Sequence, residues 1–152
     1  MPEIRTSHLF TVTLTVDTIH NLGRTPLGDR RVAVVSGGQF EGQRLTGIVQ
    51  EGGSDWILIR PDGSMQLDVR LTLKTGDGGI IGMRYSGFRH GPAEVLDRLN
   101  RGEPVDPSTY YFRIAPFFET SAPNYDWLNR IVAIGTGNRL PQGPVYDVFE
   151  VL

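Results

Sequence analysis

Between Leu9 and Asp17 apolar and polar residues alternate without a break. Phe10, Val12, Leu14 and Val16 share one side, while Thr11, Thr13, Thr15 and Asp17 share the other. A period of two marks a strand with one buried face. Shorter versions of the pattern recur along the chain, each closed by glycine or proline. Arg31 to Ser36 stops at Gly37-Gly38, a pair that marks a bulge or bend where a barrel turns a corner. Arg44 to Gln50 stops at Gly52-Gly53, and Trp56 to Arg60 is joined to Met65 to Lys74 by the turn Pro61-Asp62-Gly63-Ser64. Gly76 to Gly79 leads into Ile80 to Ser86, and further strands are expected from Tyr110, over Trp127 to Ile134 and over Val145 to Leu152. Asn21 to Arg30 and the glycine- and proline-rich stretch beginning at Gly135-Thr136-Gly137 read as loops.

One helix interrupts the strands. Pro92 suits a first helical turn, Glu94 favours the dipole there, Val95, Leu96 and Leu99 form a stripe, and Gly102 stops it. The expected fold is therefore all-β: one antiparallel barrel of roughly eight to ten strands, a meander, with a short helix near residues 92–101 covering one end. At 152 residues the whole chain, 1–152, is one domain.

Composition removes several function classes. With no cysteine there is no disulfide, thiol nucleophile or thiolate metal site. His8, His20 and His90 have no partner at metal-ligand spacing, so neither metal nor cofactor is expected. Basic and acidic residues number 15 and 17 with no basic block, which argues against nucleic acid. No apolar run is long enough for a bilayer and the N-terminus lacks signal-peptide character, so the expectation is a soluble cytoplasmic protein. No nucleophile elbow and no phosphate-binding loop are present.

Tyr110 to Asn129, YYFRIAPFFETSAPNYDWLN, stands out for its density of rings. On a strand, Tyr110, Phe112 and Ile114 share an apolar face, while Tyr111, Arg113 and Ala115 share the other. If Pro116 keeps the register, Phe117 and Glu119 join Arg113. Charges among rings are costly to bury unless paired, and Asp68 and Arg70 could pair with them. Taken alone, Asp68 and Arg70 read as a surface pair. Arg113 and Glu119 are expected to face a lumen. Trp127 and Asn129 could orient a bound carbonyl, and Trp56 could shape the same pocket, although a tryptophan in a small barrel is more often core.

GGQFEGQRLTGIV, GGSDWILIRPDG, LDVRLTLKT, RGEPVDPSTYYFR, PFFETSAPNYDWLN and GTGNRLP together resemble segments of a bacterial and fungal family, domain-of-unknown-function family 3237, also called uncharacterised protein family 0311. The resemblance spans essentially the whole chain. It implies a single-domain barrel related to allene-oxide-cyclase-like or lipocalin-like barrels, and it implies no defined activity.

The function expected is binding of a small organic molecule, with isomerisation, cyclisation or addition to an unsaturated carbonyl compound as candidate chemistry. Glu119 or Asp68 would move a proton, and Arg113 and Asn129 would hold the oxygen on which charge develops. Trp56, Arg70, Tyr111, Phe117 and Trp127 would contact the ligand. The alternative is a non-catalytic binding or assembly module whose mixed faces form a subunit interface. A homo-oligomer, dimer or larger, is expected either way.

Overall fold

Nine antiparallel strands form one sheet that closes on itself in a computed structural model describing residues 2–152. They are β1 (Thr6–Thr25), β2 (Gly28–Glu41), β3 (Thr46–Val49), β4 (Gly53–Ile59), β5 (Met65–Thr75), β6 (Ile80–His90), β7 (Tyr111–Thr120), β8 (Ala133–Leu140) and β9 (Gly143–Val151). Helix α1 (Ala93–Asn100) follows β6. A 3₁₀ turn, Pro107–Thr109, precedes β7, and a 3₁₀ segment, Pro123–Arg130, follows it. Among the described residues no helix is long and apolar enough to cross a membrane.

The ring is simpler than its strand count. One side of β2 pairs with β4 over Asp29–Val35 and then with β3 over Gly38–Glu41. Both short strands pair on their far side with β5. β3 and β4 thus lie end to end in a single slot, and the barrel is an eight-staved meander closed by β1 against β9. The switch of partner falls at Gly37-Gly38, where the β1–β2 register also shifts, so the expected corner is there. A Cβ on Gly38 would run into the Thr13 carbonyl oxygen, and its φ of +148° suits glycine.

Two regions differ from expectation. Asn21 to Arg30 is not a loop: β1 and β2 continue as a paired ribbon to Thr25 and Gly28, accommodating Gly23 at a register shift. Gly135-Thr136-Gly137 is not a turn but the inner part of β8, while Trp127 to Arg130, expected as strand, is 3₁₀. The glycines are needed for packing. A Cβ on Gly135 would stand 2.7 Å from Ile114, and one on Gly137 would stand 2.6 Å from the Phe112 ring. The bulky inward residues of β7 occupy the space that β8 leaves empty.

Parity assigns the interior. Leu67, Val69, Leu71 and Leu73 of β5 point inward, as do Ile81, Met83 and Tyr85 of β6 and Phe112, Ile114 and Phe118 of β7. One half of the barrel is filled: Phe10 packs at 5.5 Å from Phe40 and 5.9 Å from Phe118 (ring centroids), and Leu128 of the 3₁₀ segment is completely buried. Outside this half Arg44 lies over Trp127 at 4.0 Å and pairs with Glu150 at 3.0 Å. The other half is covered by α1, which buries Leu99 and ends at Gly102, φ +75°, whose N–H donates to the Leu99 carbonyl at 3.0 Å.

Gly137→Ala should lower the melting temperature. Overpacking a tight core costs about 1–3 kcal/mol, and each kcal/mol shifts the midpoint by about 2–4 °C at this size. Phe112→Leu in the same chain should recover part of the loss. Equal melting of Gly137→Ala and the parent in calorimetry would contradict this packing.

Candidate functional site

The half of the barrel under α1 holds a cavity, open to solvent on one side, of about 430 Å³, within the range of small-molecule sites. Its walls are mostly aliphatic, with Leu14, Val35, Ile57, Leu67 and Val69 among them. Set into those walls are Asp55, Tyr85, Arg89, Arg139 and Tyr146, with Arg31 and Asn100 also lining it.

Asp55 sits on β4 between the outward Ser54 and Trp56 and shares the inward parity of Ile57. The pairing of β4 with β5 is interrupted there: Asp55 opposes Val69, the next pair is Leu58 with Gln66, and the register is the same on both sides of the gap. The Asp68 N–H in the gap donates to the Asp55 carboxylate at 3.2 Å, so the side chain replaces a ladder acceptor. Burial among aliphatic side chains pushes the Asp55 carboxyl up to about 7. The Asp68 N–H opposes the shift, the Asp68 carboxylate adds to it, and Arg89 opposes it weakly.

Arg89 is the inward residue at the end of β6, on the face of Ile81, Met83, Tyr85 and Gly87. It is only 8% exposed, and its Nε has no hydrogen-bond partner. Its guanidinium carbon lies 5.9 Å from the centroid of Phe112. Burial, and then the like charge of Arg139, lower its pKa. Arg139 comes from the inward face of β8, and burial lowers its pKa as well. The Arg139 amide donates to the Tyr110 hydroxyl at 2.9 Å. Tyr85 and Tyr146 meet edge to face at 5.2 Å, and burial raises both phenols. One carboxylate near neutrality, two desolvated guanidinium groups and two phenols can together bind an oxygen-bearing molecule and move a proton on it.

The residues singled out from sequence lie elsewhere. β7 passes Pro116 without a register shift, so Arg113, Phe117 and Glu119 do share a face with Tyr111, but that face is the outer one. Tyr111 is 46% exposed, Phe117 42% and Trp56 47%; Asp68, Arg70, Arg113 and Glu119 are also exposed. The expected lumen placement of Arg113 and Glu119 is corrected for a physical reason: the outer rings are covered by arginines rather than by core. Arg84 lies over Phe117 at 5.0 Å, Arg113 over Tyr111 at 5.4 Å and Arg60 over Phe88 at 4.7 Å. Neither Arg113 nor Glu119 is ion-paired with Asp68 or Arg70 among the described residues; Arg113 donates to the Phe112 carbonyl at 2.9 Å. Asn129 clamps the end of β7, accepting from the Thr120 N–H and donating to its carbonyl, both at 2.9 Å. Trp127, half-buried, lies under Arg44. Arg70, Phe117, Glu119 and Asn129 do come together, around an outer depression of about 450 Å³.

Asp55, Arg89, Arg139 and the tyrosine pair were not singled out, yet a signal was present. In IIGMRYSGFRH every second residue from Ile81 is apolar or glycine until Arg89, and an arginine ending an apolar face is the anomaly.

The family profile described as "Protein of unknown function (DUF3237)" matches residues 4–151. An UPF0311 protein of Rhodopseudomonas palustris is 37% identical over 151 residues, covering 99% of each chain. One from Clostridium acetobutylicum is 32% identical over 150 residues, covering 98% of this chain and 95% of that protein. Among solved structures, a conserved protein of unknown function from R. palustris superposes with a TM-score of 0.96 at 37% identity, covering all of both chains. A protein from Acinetobacter baumannii described as β-barrel-like gives 0.87 at 38% identity, covering 100% of this chain and 98% of the other. An enzyme from Penicillium herquei gives 0.75 at 22% identity, with the same coverage, a likeness of fold alone. With its profile and full-length relatives, themselves named UPF0311 proteins, in agreement with its barrel, this chain belongs to the DUF3237 family.

Proposed function

We propose that the lumen binds a small organic molecule bearing a carbonyl group and that Asp55 transfers a proton on it. The carrying observation is a single carboxyl held at about 7 by an aliphatic wall at the edge of a ligand-sized cavity. At the neutral pH of the cytoplasm expected from sequence, such a group is close to half ionised, so it can both accept and return a proton. Ionised Asp55 takes a proton from a carbon or hydroxyl of the ligand. The electron pair released moves towards the carbonyl, and charge gathers on its oxygen in the positive field of Arg89 and Arg139. Protonated Asp55 then gives its proton back at another atom, leaving an isomerised, cyclised or internally added product with no net change in protons. The fold likeness to a protein described as an enzyme is compatible with this reading.

A second reading, self-association of two copies, is favoured by the outer face of β5–β7. It exposes Phe88, Tyr111 and Phe117 beside both charge signs, Arg84 and Arg113 with Asp68 and Glu119, and so is complementary to itself. Light scattering after size exclusion should give a dimer or larger, and Phe117→Asp should shift it towards monomer. A parent that stays monomeric throughout the micromolar range rules the reading out.

Asp55→Asn should abolish proton transfer and stabilise the fold in a pH-dependent way. The folded carboxyl sits at about 7 against 3.8 for the free group, so the parent loses stability as pH rises from about 4 to about 7 and stays penalised above that. The variant's advantage should therefore be near zero at pH 4 and level off above pH 7 at a few kcal/mol, at about 1.4 kcal/mol per unit. Activity would be read by proton NMR in D₂O over a panel of enones and hydroxy-enones, as α-proton exchange or product formation. Exchange that survives in Asp55→Asn, or a pH-independent stability difference, would sink the assignment.

A further inference from the structure

Resting on the lumen reading, we infer that the ligand is an organic anion, a carboxylate on an apolar body, and that Arg89 is its counter-ion. Arg89 is buried to more than nine-tenths, and its Nε faces no acceptor. No ion pair among the described residues includes it. A guanidinium cannot shed its charge near neutral pH, so burial without a partner leaves the cost of desolvation uncompensated.

The neighbours do not supply the missing charge. Among the described residues Asp55 is the only carboxylate lining the cavity; it accepts from the Asp68 N–H and forms no ion pair with Arg89. Arg139 adds a second positive charge to the same wall. Arg31, the third arginine of the lining, has Asp29 at 3.3 Å through a terminal nitrogen, although its Nε, like that of Arg89, has no hydrogen-bond partner. The cavity is thus an apolar chamber with a surplus of fixed positive charge and an unused planar donor fork. A carboxylate matches that fork in shape and charge, and the aliphatic walls fit the body attached to it.

The test uses matched probes on the full chain: 1-naphthoate and its uncharged isostere 1-naphthamide, with benzoate and benzamide as a smaller pair, measured by titration calorimetry at pH 7.5. The parent should bind the acid of a pair at least tenfold more tightly than the amide. Arg89→Met should remove that preference, with acid affinity falling at least tenfold further than amide affinity, and Arg89→Lys should restore part of it. Because the cation is uncompensated, Arg89→Met should also melt at a temperature equal to or above the parent's. If the parent binds acid and amide equally, the anion inference falls and the lumen reading stands, whether or not the variant folds. If no member of either pair binds, both fall. A folded Arg89→Met that keeps the preference for acid overturns the role of Arg89 alone and with it this inference.

Discussion

Closure is the constraint on which the rest of this structure depends. Eight staves joined in a ring leave an interior just wide enough for side chains, so every inward residue competes for volume with those opposite. The competition is settled differently at the two ends. Three phenylalanine rings, Phe10, Phe40 and Phe118, fill one half with Leu128 beneath the 3₁₀ segment. In the other half the staves carry aliphatic side chains and α1 covers rather than fills, so the cavity remains. The glycines of β8 fit the same account: they make room for Phe112 and Ile114, and Phe112 then forms part of the cavity wall.

An apolar cavity of this kind sets the electrostatics of whatever points into it. Asp55 and Arg89 respond in opposite ways. The carboxyl can meet the cost of burial by holding its proton, and does so up to about 7. The guanidinium has no such escape and keeps its charge among Phe112, Tyr110 and Tyr146. Close pairing of the two would have relieved both, with Asp55 ionised and Arg89 satisfied. Instead the carboxylate accepts from a backbone N–H in the break of the β4–β5 ladder, and no ion pair joins it to Arg89 among the described residues. The result is two groups kept apart in one chamber, each with unused capacity for a ligand.

Much of the fold was legible because it rests on local signals. Alternation in β1, β5 and β6, the Pro61–Ser64 turn and the helix bounded by Pro92 and Gly102 all depend on neighbours in sequence. The glycine pair at 37 and 38 announced the corner in the same way. What failed was long-range. Nothing near Gly135 and Gly137 says that Ile114 and Phe112 lie across them, so a strand looked like a turn. The ribbon from Asp17 to Arg30 contains Gly23 and Pro26, which read as breakers, yet cross-strand pairing carries β1 to Thr25.

The lumen placement expected of Arg113 and Glu119 failed for a different cause, and it concerns what a ring on a strand means. Period two correctly divided β7 into two faces, and the register held through Pro116. The error lay in taking aromatic density as a sign of the interior. On this barrel Phe88, Tyr111 and Phe117 remain outside because Arg60, Arg113 and Arg84 lie across them, which lets a large ring stand in solvent with one side covered. Rings mixed with charges are therefore what an arginine-coated outer wall produces. The inner wall gives a quieter pattern, an otherwise apolar parity broken once, by Arg89 on β6 and by Asp55 beside Ile57 on β4. A charge isolated on an apolar face has to be desolvated to be there at all, and that cost makes it the stronger indication of a site.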